Sequence, residues 1–137
     1  MSDDMTQTEA ENYYQKHKID VVLTVATADG RFLVKRDEEG GLALPSKPLW
    51  KAYTSRACAE MFFADLTGLK AGEYVLIRQV GFLDHDLDRI RAVLYATEIA
   101  EPVPLLDSRY EWVDSETLYT NGYVAGVYLY ACQYKRF

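Results

Sequence analysis

Side chains able to move a proton or hold a cation crowd into one short run of this chain, Asp84, His85, Asp86 and Asp88 in DHDLDR. Histidine among carboxylates at a loop tip suits acid–base work or ion binding, with His85 as the contact to a ligand. A solvated turn is the plainer reading of the same residues. Trp50, inside a long connection with Pro45 and Pro48, offers an aromatic face either to a ligand or to packing. Towards the C-terminus Tyr119, Tyr123, Tyr128, Tyr130 and Tyr134 form a cluster suited to a dimer contact, to stacking on a purine, or to ordinary packing. Covalent catalysis finds no support, since Ser/His/Asp and Cys/His spacings are missing. A phosphate-cradling or dinucleotide glycine fingerprint is missing too. Cys58 and Cys132 have no metal-ligand spacing to His17 or His85 and read as reduced, partly buried thiols.

These residues need elements to hold them. Thr8 to Lys16 suits a short helix or packed arm, within an N-terminal segment of residues 1–18. Ile19 to Ala26 and Arg31 to Lys35 are β-rich runs around Asp29-Gly30, which predicts a hairpin. A polar loop follows over Asp37 to Gly41, then a short strand over Leu42 to Leu44 and an irregular connection from Pro45 to Tyr53. Thr54 or Ser55 can cap a helix and Gly68 can end it, so Ser55 to Thr67 is helical. Glu73 to Phe82 and Ile90 to Ile99 form a second hairpin whose tip is Asp84 to Arg89. Glu111 to Val113 is a brief strand, Asp114 caps a turn, and residues 119–137 are a last helix from Asn121 or a strand.

With 137 residues, 49% of them hydrophobic, the chain supports one core and therefore one domain spanning 1–137. A net charge of −6 argues against general nucleic-acid binding, which needs clustered cations. The polar, acidic start is unlike a secretory leader, and no apolar run approaches membrane-spanning length, so a cytoplasmic location is expected.

Between Ile19 and Leu118 the chain resembles the Nudix, or MutT-like, superfamily. VVLTVATADGRFLVKR resembles its opening hairpin, LALPSK its LPGG turn, DLTGL the end of its box, and EWVDSETL its late glutamate–tryptophan element. The resemblance implies an α+β fold, an α/β/α sandwich with a mixed sheet between helices. The family box runs G, five residues, E, seven residues, R-E-U-x-E-E-x-G-U, with U apolar. Laid on without a gap, its glycine falls on Lys47, its first glutamate on Tyr53 and its arginine on Met61. The three metal-holding glutamates fall on Phe62, Asp65 and Leu66. Three of the four glutamates are thus replaced, and the fourth is an aspartate.

The consequence is chemical. Positions i, i+3 and i+4 share a helix face, where family members present carboxylates to Mg²⁺; here Phe62 and Leu66 are expected to pack over the site. Asp65 is the one box carboxylate left, either a metal ligand or a solvated helix residue. By family position Glu98, Glu101 and Glu111 are further candidates for catalysis, as is the Asp84 to Asp88 tip, while Glu60 lies off the Asp65 face. Lys47, with Arg56, is a candidate to replace metal as the charge that binds phosphate; a solvated loop lysine is the alternative. Two functions follow. One is a nucleotide- or metabolite-binding or protein-interaction module, a homodimer needing no cofactor. The other is a divergent Mg²⁺-dependent hydrolase of nucleoside diphosphates linked to another group.

Overall fold

A computed structural model of the chain describes residues 7–50, 52–70, 77–83 and 91–133. Helix α1 (Gln7–Lys16) leads into β1 (Asp20–Thr27), β2 (Phe32–Arg36), β3 (Leu42–Ala43) and β4 (Ser46–Pro48). Helix α2 (Ser55–Thr67) is followed by β5 (Arg78–Leu83), β6 (Ala92–Ile99), β7 (Tyr110–Val113), α3 (Ser115–Leu118) and α4 (Gly122–Gln133). Among the described residues these strands form one mixed sheet. Its path runs β3-β2-β1-β6-β5, with β4 added to β1 and β7 to β2.

Burial explains the arrangement. Strand β1 is buried on both faces over Val21 to Thr27 and pairs in parallel with β6 from Asp20↔Ala92 to Thr27↔Ile99. A strand covered on both sides reads as a continuous apolar run, as VVLTVA does. Side chains alternate across the sheet. Val21, Leu23, Val25, Val93 and Tyr95 pack against Cys58, Phe62, Phe63 and Leu66 of α2. Val22, Ala92 and Leu94 pack on the other side with Val127 and Ala131 of α4. The expected α/β/α sandwich is therefore present, one helix layer on each face.

Several expected elements take a different form. The β1–β2 hairpin turns at Asp29-Gly30, with Gly30 at φ 87°, but its ladder register is the single pair Ala26↔Phe32. Beyond that pair, the edge of β1 is claimed by others. The Val25 amide donates to the Tyr128 hydroxyl at 3.2 Å, and the Leu23 amide to the Pro45 carbonyl at 2.9 Å. Strand β4 then pairs along Asp20↔Pro48, Val21↔Lys47 and Val22↔Ser46. The stretch from Pro45 to Tyr53 is thus not wholly irregular. Its strand is short and ends at Pro48, where a missing amide costs no ladder bond.

The second hairpin appears as β5 against β6, with a register shift between Gln79 and Gly81. Residues 71–76 and the 84–90 tip lie outside the described residues. The C-terminal alternative resolves as a helix. Asn121 Oδ1 accepts from the Val124 amide at 3.1 Å, and Val124, Ala125, Val127, Tyr128 and Ala131 form one buried stripe.

Candidate functional site

Helix α2 is built as its sequence requires. Thr54 accepts from the Ala57 amide at 3.1 Å, and Gly68, at φ 73°, ends the helix with its amide on the Ala64 carbonyl at 2.8 Å. Within it Phe62 is 5% and Leu66 2% exposed, both turned into the core beneath the sheet face. Asp65 stays at the margin, with 62% of its side chain exposed. Phe62 meets Tyr110 of β7 edge-on, ring centroids 6.1 Å apart.

Pairing of β4 with β1 sets Lys47 beside Val21, on the α2 side of the sheet. Its ammonium lies 3.8 Å from Asp65 Oδ2, 4.1 Å from the Trp50 ring centroid and 5.7 Å from that of Phe62. A cation over two aromatic faces is favourably placed. A pocket of about 210 Å³ opens here, lined by Lys47, Phe62, Asp65 and Leu66 with Asp107, Arg109 and Tyr110 across from them. Arg109 donates from Nε to Asp107 Oδ1 at 3.1 Å and from Nη2 to Oδ2 at 2.7 Å. Those side-chain bonds, with one from the Arg109 amide, hold the Asp107 carboxyl down at about 2. Burial raises the Tyr110 phenol.

The other candidates are dispersed. Arg56 donates from Nη1 to the Ile77 carbonyl and lies 5.7 Å from the Tyr95 ring, so it does not join Lys47 at this pocket. Glu111 is paired with Arg36 at 2.7 Å. Alternation along β7 and β6 puts Glu111 with Val113, and Glu98 with Leu94 and Ala96, on the α4 side of the sheet, away from Asp65. Glu101 is exposed in the bend after β6, Glu60 is half-buried on α2, and Tyr53 is 47% exposed with its ring edge-on to Trp50. His85, with Asp84, Asp86 and Asp88, lies outside the described residues, as does Tyr134. Of the C-terminal tyrosines, Tyr128 is buried, while Tyr119, Tyr123 and Tyr130 are exposed. Cys58 is buried and Cys132 half-buried, and neither forms a disulfide.

The donor set does not fit Mg²⁺. That ion takes about six oxygens in near-octahedral array, whereas this pocket sets Asp65 beside an ammonium and two apolar side chains, and its other carboxylate, Asp107, is bonded to Arg109. Among the described residues no group of three or more His, Cys, Asp or Glu could hold a metal.

Two features escaped the sequence. Glu11 of α1 accepts from both the amide and the hydroxyl of Ser55, each at 2.7 Å, and the Ser55 hydroxyl meets the Tyr95 phenol at 2.6 Å. Ser55 is therefore buried under a carboxylate from α1 rather than serving as the cap, and burial pushes Tyr95 up to about 12. Gln15, one turn on, donates to the Trp50 and Tyr53 carbonyls at 2.9 Å each. The second feature is a cavity of about 890 Å³ between the end of α1 and the start of α4. Tyr13, His17, Lys18, Arg91, Asn121 and Tyr123 are among its walls, with Tyr13 and His17 stacked at 4.1 Å. The Glu-x₃-Gln spacing of Glu11 and Gln15 marks one helix face, but nothing local names its partners.

No protein-family model matches the chain, and no similar curated protein was found. Solved structures do match. A binary complex of C. elegans Ap4A hydrolase aligns over 86% of this chain and 96% of its own, at 12% identity and a TM-score of 0.60. The MutT protein of Methanosarcina mazei Go1 aligns over 87% and 93%, at 16% identity and 0.55. The E. coli dihydroneopterin triphosphate pyrophosphohydrolase aligns over 80% and 92%, at 8% identity and 0.53. Similarity at these identities concerns architecture, and it agrees with the sheet and the helix layers described above. The chain has the Nudix fold.

Proposed function

We propose that this Nudix-fold chain is a binding domain for a nucleotide or nucleotide-linked metabolite that has given up metal-dependent hydrolysis on its box face. One observation carries the reading, the Lys47 ammonium 3.8 Å from the single box carboxylate, Asp65. A divalent ion about 4 Å from both would feel about 8 kcal/mol of repulsion and as much attraction at an effective dielectric of about 20. The pair exerts no net pull on a metal, and Phe62 and Leu66 supply no oxygen.

The ligand belongs in the cavity of about 890 Å³, within the range of small-molecule sites. Lys18 and Arg91 suit phosphates, and the Tyr13–His17 stack with Tyr123 suits a base. Asn121 is held by its bonds to the Leu42 carbonyl and the Val124 amide, so it presents a fixed wall. Self-association through the exposed Leu129 and Tyr130 of α4 belongs to the same proposal, to be checked by light scattering of wild type and Leu129→Asp. We place the protein in the cytoplasm; among the described residues no helix is long and apolar enough to cross a membrane.

The test is a titration with Mg²⁺ and Mn²⁺, with phosphate release from a broad panel of nucleotides measured alongside binding in EDTA. Nucleotide binding without turnover is expected. Metal-dependent turnover that disappears in Asp65→Ala would overturn the proposal in favour of a divergent Mg²⁺-dependent hydrolase. No metal binding at millimolar concentration would exclude that alternative.

A further inference from the structure

We propose that the small pocket above Phe62 is a metal-independent seat for a phosphate-sized oxyanion, with Lys47 supplying the charge and Arg109 and Tyr110 flanking it. The Lys47 ammonium has three donors, and 3.8 Å to Asp65 is beyond hydrogen-bond length. Its other contacts are the faces of Trp50 and Phe62, so among the described residues no donor of this ammonium meets an acceptor. Arg109 commits Nε and Nη2 to Asp107, which leaves Nη1 available. The Tyr110 hydroxyl makes no hydrogen bond within the described residues, and Tyr110 lines the same pocket. Unfilled donors of one polarity around an open volume call for an acceptor-rich guest.

Size selects which guest. A pocket of about 210 Å³ holds about seven water volumes, enough for a tetrahedral oxyanion with some hydration and too little for a nucleoside. Charge supplies the discriminating variant. Asp107 is committed to Arg109, whereas Asp65 stands beside Lys47 and opposes an incoming anion. A carboxylate at that place helps a divalent cation and hinders an oxyanion, so removing its charge has opposite effects in the two chemistries.

The full chain is titrated with inorganic phosphate in EDTA, followed by calorimetry and ³¹P NMR. Saturable binding is expected for wild type. Lys47→Met weakens it at least about tenfold, through loss of a charge-assisted partner. Asp65→Asn tightens it about threefold, the scale of an exposed ion pair. Arg109→Gln, on a side chain 66% exposed and outside the core, weakens it in parallel and carries the test should Lys47→Met melt early. No saturable phosphate binding by wild type, unchanged affinity in both cation variants, or loss of binding in Asp65→Asn each overturns the proposal. The site does not depend on the larger cavity: nucleotide binding that persists without phosphate binding sinks this seat alone. Phosphate binding that requires added Mg²⁺ sinks it together with the binding-domain reading.

Discussion

Tyr128→Phe removes one oxygen from the centre of the sheet and changes almost nothing else. In the wild type that hydroxyl accepts from the Val25 amide at 3.2 Å and donates to the Leu33 carbonyl, bridging β1 and β2 where their ladder has opened. Tyr128 is 1% exposed, and Val25 and Leu33 are fully buried. Phenylalanine keeps the ring and its edge-on contact with Phe32 at 5.3 Å, so no large cavity forms. What is lost is the partner of one buried donor and one buried acceptor, at about 1–3 kcal/mol each. We expect a loss of about 2–6 kcal/mol. With an unfolding entropy of about 0.3 kcal/mol/K for a chain of this length, the midpoint falls by roughly 7–21 °C. Urea denaturation and calorimetry on the same preparations measure both quantities. A loss under about 0.5 kcal/mol would refute the reasoning, because it would mean that β1 and β2 close up or that water takes the oxygen's place.

Alkaline pH acts on the same chemistry. Burial raises Tyr14, Tyr95, Tyr110 and Tyr128 above their ordinary value near 10, Tyr95 to about 12. Above pH 10 the unfolded chain therefore binds fewer protons than the fold, and stability drops as pH rises through the Tyr95 window of about 10 to 12, by up to about 1.4 kcal/mol per pH unit for each protected phenol. Denaturant midpoints measured from pH 8 to 12 should be flat and then fall; a flat profile throughout contradicts it. Ser55→Ala leaves the Glu11 carboxylate and the Tyr95 phenol short of a partner, and chemical denaturation should register about 1–3 kcal/mol. Phe62→Glu returns one carboxylate to the box face at a site 5% exposed; it should cost about 3 kcal/mol or more and bring no Mn²⁺ signal by paramagnetic resonance while Lys47 remains.

How much was legible in the sequence depends on how local the cause is. Helix α2 was readable to the residue because Thr54 and Gly68 act through their own backbone. The turn at Asp29-Gly30 was readable for the same reason, yet not the early parting of β1 from β2, which depends on a tyrosine a hundred residues later. Strand β4 was hidden because three residues that follow one proline and end on another have no pattern of their own, and β1 supplies the pairing. The ungapped spacing put Lys47 at the position of the box glycine but said nothing of its approach to Asp65, which comes from the pairing of β4 with β1, whereas Arg109, the second cation of that pocket, comes from a loop with no special composition. Whether α4 was helix or strand could not be settled by Val124, Gly126 and Val127, which suit both; the Asn121 cap and the stripe packed on β6 decide it.

Helix α1 fixes how any ligand would reach the larger cavity. Its residues Tyr13 and His17 form part of the cavity wall, while Glu11 and Gln15 fasten the helix to Ser55, Trp50 and Tyr53. Two charge-assisted and two neutral bonds sum to about 4 kcal/mol even at the low end of their usual range. A displaced α1 is then populated at roughly one molecule in a thousand. Ligands meet a wall already in place, so none of their binding energy is diverted to ordering it, and association should run at the rate of encounter rather than wait on an opening step.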